Sequence, residues 1–295
     1  MLEHTYQDSV SPKRVVILGG NGFVGRALSD VLIKDGIDVL SLSSSQLDLV
    51  DENAAIELAS ILRKDDCLVI LSALTPDRGR DVKTFMSNLK MVENICQSLS
   101  QNSISHIVYV SSDAVYPLST TRISEESLAA PSDLYGTMHL AREVMLQNVV
   151  SDIPLCILRP TLIYGSQDTH NSYGPNRFRR QAIEGEIVIG GEGEETRDHI
   201  AVNDVVGIIR KVLDHKSYGV LNLATGSSNT FAEVAKFVAN QYAPPVTVKT
   251  TPRNSPITHR SFDITNCIKA FSGIQFTPLE TGIARAHEEC SSDNG

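Results

Sequence analysis

The strongest constraint on this chain is a repeated exchange, over its first half, between short apolar runs and amphipathic stretches of helical period. Val15-Val16-Ile17-Leu18 is followed by glycines and a helical stretch from about Gly22 to Asp35. Residues 38–42 read as a second strand and 53–63 as a helix. Cys67 to Leu71 is a third apolar run, followed by a helical stretch over 82–99. Ile107 to Val110 and Leu155 to Leu158 are two more strands, with a helix over 135–149 between them. Strands apolar on both faces and separated by amphipathic helices belong to a parallel sheet covered on both sides. The expected fold is therefore α/β, a doubly wound parallel sheet, with ligand bound at the carboxyl ends of the strands.

After about Tyr164 the segments shorten and gain Gly, Pro and Asn, as in Gly165 to Asn176 and Gly190-Gly191-Glu192-Gly193; Pro244-Pro245 marks another break. The expected division is residues 1–164 and a smaller C-terminal α/β lobe over 165–295. The boundary is soft, and the chain is free to cross back between lobes.

Composition narrows the function classes. At 295 residues and 41% hydrophobic, the chain can bury a sizeable core. Asp and Glu number 35 against 26 Lys and Arg, a net charge of -9, which argues against non-specific nucleic-acid binding. A small anionic ligand held by a few placed arginines remains compatible. The odd set Cys67, Cys96, Cys156, Cys267 and Cys290 lacks metal-ligand or redox spacing and suits a reducing cytosol. No apolar run approaches the roughly 18 residues of a membrane span, and Met1-Leu2-Glu3-His4 carries no secretory pattern. A cytoplasmic protein is expected. The histidines at 4, 106, 139, 170, 199, 215, 259 and 287 are scattered, so no metal site is expected.

Gly19-Gly20-Asn21-Gly22-Phe23-Val24-Gly25 follows the first strand and opens the first helix. Glycines at 19, 22 and 25 let the chain turn tightly and let backbone N–H groups approach a pyrophosphate, with the positive end of the helix dipole facing it. In this strand–loop–helix setting the loop predicts a dinucleotide site of the Rossmann type.

Gly-x-x-Gly-x-x-Gly with Phe23-Val24 between the last two glycines resembles the extended short-chain dehydrogenase/reductase family, the nucleotide-sugar epimerases and dehydratases. Further matches are collinear over nearly the whole chain. Ser111-Ser112-Asp113-Ala114-Val115-Tyr116 is similar to the family's Ser-Ser-x-x-Val-Tyr segment. Tyr135 stands where its Tyr-x-x-x-Lys motif begins. Leu158 to Gly165 resembles its Arg-Pro-x-x-x-Tyr-Gly segment, which brings Pro160 to the cofactor. Arg197 to Asp204 is similar to its Arg-Asp-x-Ile-x-Val-x-Asp signature, and Arg260 to Asp263 to its late Arg-x-x-Asp.

The resemblance implies NAD or NADP. Members that prefer NAD place an acidic residue at the end of the second strand; here that position is Ser43, followed by Ser44 and Ser45. No carboxylate is there to repel a 2′-phosphate, and Arg26 can add charge, although the arginines usual in NADP-using relatives are absent. NADP is slightly favoured, and an ordinary polar loop is the other reading of the serines. Asp48 and Leu49 match the adenine contact. Ser72 and Ala73 end the third apolar strand against the cofactor, Ser111 is counted with the cofactor-side residues in a structural rather than catalytic role, and Asn88 matches a family asparagine near the cofactor.

The family's chemistry is hydride transfer coupled to proton transfer at one carbon. Tyr135 is the expected acid/base, Ser112 positions the substrate oxygen, and a lysine normally follows the tyrosine by four residues. His139 holds that place here. Positions i and i+4 share a helix face, so His139 can still meet Tyr135 and the cofactor, but only a charged imidazole would stabilise tyrosinate as lysine does. Slower catalysis, a proton shuttle through His139, binding without turnover, and a solvated helix histidine all stay open. Asp113 can act as an acid or cap a turn. Ala114 stands where dehydratases carry the glutamate that removes the C5 proton.

Arg197 and Arg260 match the family's contacts to the nucleotide-sugar diphosphate, a task that suits guanidinium. Asn176 and Arg177 lie in a Tyr-Gly-Pro-Asn-Arg-Phe stretch expected to line the substrate cleft. The expected function is an NAD(P)-dependent nucleotide-sugar oxidoreductase acting at sugar C4, as epimerase or 4-keto reductase. The alternatives are a cofactor-binding protein with little turnover and a reductase of a non-sugar carbonyl. A homodimer is expected by family analogy, with no nucleic-acid or membrane partner.

Overall fold

The computed structural model describes residues 2–292 apart from 169, 170, 172, 173 and 255. His170, one of the scattered histidines, and Tyr173, which opens the expected substrate stretch, therefore lie outside the described residues. In chain order the first half runs β1 (Glu3–His4), β2 (Arg14–Leu18), α1 (Phe23–Lys34), β3 (Asp38–Leu42), α2 (Ala54–Ile61), β4 (Asp66–Ile70), α3 (Val82–Gln101), β5 (His106–Val110), a 3-10 turn (Asp113–Val115), β6 (Arg122–Ile123), α4 (Leu134–Val149) and β7 (Leu155–Pro160). The second half runs β8 (Leu162–Tyr164), α5 (Pro175–Ile183), β9 (Glu186–Gly190), β10 (Thr196–Ala201), α6 (Val202–Asp214), β11 (Ser217–Leu223), β12 (Ser228–Thr230), α7 (Phe231–Ala239), β13 (Thr247–Thr251), β14 (Ser261–Phe262), α8 (Thr265–Ala270) and α9 (Leu279–Ser292).

One sheet of seven strands dominates, in the order β1-β11-β7-β5-β4-β2-β3. Every neighbouring pair in it is parallel except β1 with β11. The sequence pattern explains why. Alternate residues of β2 bury on opposite faces: Val15 and Ile17 join a core with α1 and α6, whereas Val16 and Leu18 join one with α2, α3 and α4. Cys67 and Val69 against Leu68 and Ile70 repeat the division in β4. A strand with two buried faces needs helices on both sides, and right-handed crossovers supply them. The doubly wound Rossmann architecture follows.

Beyond residue 164 the chain builds a second core around Tyr164, Phe178, Ile187, Ile189, Val234 and Val238. It also returns to the first: α6 packs on α1, and β11 pairs β7. Two further sheets, β12-β10-β8 and β13-β9, belong to this half. Among the described residues, no helix is long and apolar enough to cross a membrane.

Candidate active site

The glycine loop lies where β2 ends, and its geometry is dictated by close backbone packing. Gly19 has φ +90, and a Cβ there would sit 2.8 Å from the Ser72 nitrogen; a Cβ on Gly25 would run into the Gly19 carbonyl. Only glycine fits either place. Gly22 caps α1 without any side-chain hydrogen bond, so the helix begins with open backbone donors. Phe23 is buried against Gly165, Val24 is half-buried, and Arg26 is exposed and donates to the Asn21 carbonyl.

At the end of β3, Ser43 is buried, with its hydroxyl against Ser45 and the Gln46 carboxamide oxygen, while Ser44 is exposed. Asp48 accepts from the Val50 nitrogen, and the carbonyl of buried Leu49 accepts from Asn94. Ser72 and Ala73 follow β4 and are half-buried. Asn88 braces the segment after them: its carboxamide accepts from the Leu74 nitrogen at 2.8 Å and donates to the carbonyls of Leu74 and Thr84. Pro160 ends β7, buried.

Tyr135 occupies the first turn of α4. Asp133 caps that helix, accepting from the Gly136 nitrogen at 2.8 Å. A Cβ on Gly136 would run into the Ala114 carbonyl, so glycine lets the Ser112–Val115 turn press against the start of α4. Ser112 is buried, and its hydroxyl accepts from the Ala114 nitrogen. Ser111 donates to Glu143 at 2.5 Å. Tyr135 also lines a cavity of about 270 Å³, together with Leu74, Pro76, Arg80, Asn88 and Met138.

His139 is 2% exposed, which removes the solvated-histidine alternative. Its Nδ1 lies 2.7 Å from the Tyr109 hydroxyl, and its ring meets Tyr135 edge-on at 4.7 Å. Burial, with Arg142 adding like charge, holds its pKa well below 6.5, so the ring is neutral. A phenol is a better donor than a neutral imidazole, which assigns the ring proton to Nε2. That Nε2 is buried without a hydrogen-bond partner, as is the Ser72 hydroxyl. The tight glycine cradle, the open helix start and these two orphaned groups fit a dinucleotide laid from α1 to α4.

The substrate-side residues divide. Arg260 is 4% exposed; its guanidinium pairs with the Asp113 carboxylate at 3.3 Å and donates to the Asp113 carbonyl at 2.9 Å. Burial raises the pKa of Asp113, and Arg260 and Arg197 oppose that rise. Arg260 thus ties the second half of the chain to the turn carrying Ser112. Arg197 is half-buried and donates to the carbonyls of Thr196 and Thr258 and to the Thr258 hydroxyl. Asn176 is buried, with its carboxamide between the Gly165 nitrogen and the Asp168 carboxylate; Arg177 is exposed on α5. The first group, Ser112, Asp113, Tyr135, His139 and Arg260, converges; Asn176 and Arg177 belong to the α5 region.

Two residues at this site carry no sequence motif. Arg142 is fully buried, three residues beyond His139, with its guanidinium 5.2 Å from the centre of the Tyr109 ring. Tyr109 itself is 1% exposed, and burial pushes its hydroxyl pKa up to about 12. The spacing Tyr135, His139, Arg142 is i, i+4, i+7, a single helix face, and that was the available signal.

Comparison with known proteins agrees with this fold. The model of the NAD dependent epimerase/dehydratase family matches residues 15–224. A curated relative, the N-acetyl-alpha-D-glucosaminyl-diphospho-ditrans,octacis-undecaprenol 4-epimerase of Escherichia coli O157:H7, is 25% identical over 224 residues. The matched stretch spans 72% of this chain and 64% of that relative. Among solved structures, UDP-N-acetylglucosamine 4-epimerase from Methanobrevibacter ruminantium M1, in complex with UDP-N-acetylmuramic acid, superposes with TM-score 0.82 at 22% identity, covering 96% of this chain and 100% of that one. A GDP-L-fucose synthetase from Naegleria fowleri superposes with TM-score 0.86 at 16% identity, covering 99% and 98%. With more than half of its length matched by the family model, this chain belongs to the NAD dependent epimerase/dehydratase family.

Proposed function

We propose that this chain is an NAD(P)-dependent oxidoreductase of nucleotide-linked sugars that acts at sugar C4, as an epimerase. The observation that carries the reading is Tyr135 on the same buried cluster as a neutral His139 whose Nε2 proton has no partner. A bound nicotinamide would supply a hydride acceptor for the C4 hydrogen and a donor back to the opposite face of the 4-keto sugar, which inverts that carbon. Tyr135 accepts the C4 hydroxyl proton as the hydride leaves and gives it back on return, and Ser112 donates a hydrogen bond to the same oxygen. His139, whose Nε2 proton has no protein partner, would hold a ribose hydroxyl of the cofactor without carrying charge. Arg197 and Arg260 serve the sugar diphosphate and Asn176 and Arg177 line the substrate cleft, while Asp113, paired with Arg260, acts as an acid or caps its turn. Ala114 leaves no base for dehydration, which supports epimerisation, as do the two 4-epimerases named above. The acid-free end of β3, Ser43 to Gln46, tolerates a 2′-phosphate and keeps NADP slightly ahead of NAD. The same reading has a homodimer in the cytoplasm; the buried thiols of Cys67, Cys96, Cys156 and Cys267 and exposed Val82, Met86 and Val144 on α3 and α4 support it.

The test has two stages. Mass spectrometry of the denatured protein, or calorimetry with NAD and NADP, reads the dinucleotide; no affinity for either sinks the oxidoreductase reading. Wild type is then incubated with UDP-glucose, UDP-N-acetylglucosamine and GDP-mannose, and C4 epimers are read by proton NMR. Tyr135→Phe should lower the rate by about 10²–10⁴-fold while keeping the fold. A second reading, binding without turnover, is favoured by the uncharged His139, and dinucleotide and sugar binding with no epimer formed would establish it.

A further inference from the structure

The family tyrosine needs a nearby cation to ionise at neutral pH, because free phenol titrates near 10. His139 is neutral and does not provide one. The same helix face carries another cation. Arg142 is fully buried, and among the described residues no carboxylate lies within ion-pair distance of it. Its Nη2 donates to the Ser72 carbonyl at 2.8 Å, Nη1 meets the Met138 sulfur at 3.9 Å, and Nε has no partner. A buried guanidinium with such poor compensation is costly, and Arg does not escape the cost by losing its proton. Ser72 adjoins Gly19, so the charge lies beneath the path of the dinucleotide. It also lies over Tyr109, which holds Nδ1 of His139.

We propose that Arg142 is the positioning cation of the Tyr135 site, supplying from one helical turn beyond His139, and two beyond Tyr135, the fixed positive charge that His139 lacks, while Tyr109 fixes the His139 tautomer. This rests on Tyr135 being the acid/base. Seven residues along a helix separate the two side chains by about 10 Å, a distance at which a buried charge shifts a phenol by roughly one pH unit. Among the described residues, the other ionisable groups facing this cluster are Tyr109 on β5, Cys96 on α3, Glu143 on α4, which is tied to Arg159, and Asp113, which is tied to Arg260. Arg80, Asp81 and Asp133 line the cavity beside Tyr135.

The test is the Tyr135 titration, read by NMR of protein labelled at the tyrosine ζ carbon, with Tyr135→Phe assigning the signal. Arg142→Met should raise the midpoint by about one pH unit, and Arg142→Lys should keep it within about 0.3. His139→Lys combined with Arg142→Met should restore the wild-type value, because the cation then returns to the other position. In an active enzyme the pH–rate limb moves with the midpoint. An unmoved midpoint in Arg142→Met, or a wild-type midpoint at or above about 10, overturns the proposal. Should Arg142→Met not fold, Arg142→Gln, which removes the charge and keeps a donor for the Ser72 carbonyl, should raise the midpoint in the same way, and an unmoved midpoint there overturns the proposal. A midpoint that moves in a protein that turns over no sugar leaves the cation in place and removes only the epimerase reading.

Discussion

Arg142 and Glu143 are consecutive residues of α4, equally buried, and they are treated in opposite ways. Glu143 accepts from Ser111, and from Arg159 Nε at 3.0 Å and Nη2 at 2.6 Å. Arg159 passes its remaining nitrogen to the Tyr116 hydroxyl, which donates to Asn222 of β11. Each guanidinium nitrogen of Arg159 has an acceptor. Arg142 has one carbonyl, a thioether and an aromatic face, and its neighbours His139 and Ser72 each keep a polar atom without a partner. A buried polar network with every donor matched holds elements together; one with donors left over has capacity for something that is not protein. Glu143 joins β5, β7 and β11 through side chains, whereas the Arg142 side of the helix faces the cofactor path.

The sharpest way to break this contrast is to remove the matched carboxylate. Glu143→Leu leaves Arg159 as an uncompensated buried charge and should cost about 3–5 kcal/mol, read by urea unfolding. A loss under about 1 kcal/mol would mean that Arg159 finds other acceptors and that the network does not brace the sheet.

Acid separates the two kinds of burial in another way. His106 on β5 donates from Nε2 to the Ser217 carbonyl at 2.6 Å, and burial lowers its pKa to about 4. Its folded pKa lies below its unfolded value of 6.5, so its stabilising contribution is complete above pH 6.5 and is lost as pH falls toward 4. Thermal unfolding should show about 2–3 kcal/mol lost across that window. His106→Gln, which keeps a donor and does not titrate, should flatten the slope. An equal slope in both proteins would assign the acid sensitivity elsewhere, with His199, lowered by burial to about 3, the next imidazole to replace.

The sequence announced the parts of this molecule that local chemistry fixes. The glycine loop was legible because Gly19 and Gly25 answer to backbone contacts within a few residues of themselves and to the end of β4. The sheet was legible because β2 and β4 are apolar on both faces. His139 could be placed on the Tyr135 face by counting, but its burial depends on Tyr109, 30 residues earlier on another strand. Arg260 pairs with Asp113 across 147 residues, and nothing near Arg260 foretells a partner. Arg142 stands beside a glutamate on a helix, a pattern that usually means a solvated face. That the chain could cross back between lobes was open from the sequence, but which strand returns, β11 beside β7, was not, because pairing is a long-range property.

Adding charge on the less satisfied side should cost less than removing it from the matched side. His139→Lys brings a second cation toward Arg142 in a site whose polar partner is the Tyr109 hydroxyl. It should lose about 1–3 kcal/mol near neutral pH, with its ammonium titrating below the usual lysine range in the folded protein. Calorimetric melting across pH 7–10 reads this, since a depressed lysine recovers stability as it deprotonates. Full wild-type stability at every pH would show that the pocket is open to water and that the contrast with Glu143 is overstated.

Arg142→Met should have the smallest effect on stability of all these changes. The thioether chain matches most of the arginine's aliphatic length and keeps contact with Tyr109, a favourable arrangement for sulfur beside an aromatic ring. What is lost is one hydrogen bond to the Ser72 carbonyl, about 1.5–3 kcal/mol for a charged donor. What is relieved is the desolvation of a guanidinium without a carboxylate, and replacement of buried charge by apolar volume is often neutral or better. The two nearly cancel, so urea unfolding should place the variant within about 1 kcal/mol of wild type. A loss of 3 kcal/mol or more would put Arg142 in the same structural class as Arg159 and end the distinction between the two sides of the helix. A near-neutral change would mean that a charge stays buried beneath the cofactor path without stabilising the fold, a cost that only function at that site explains.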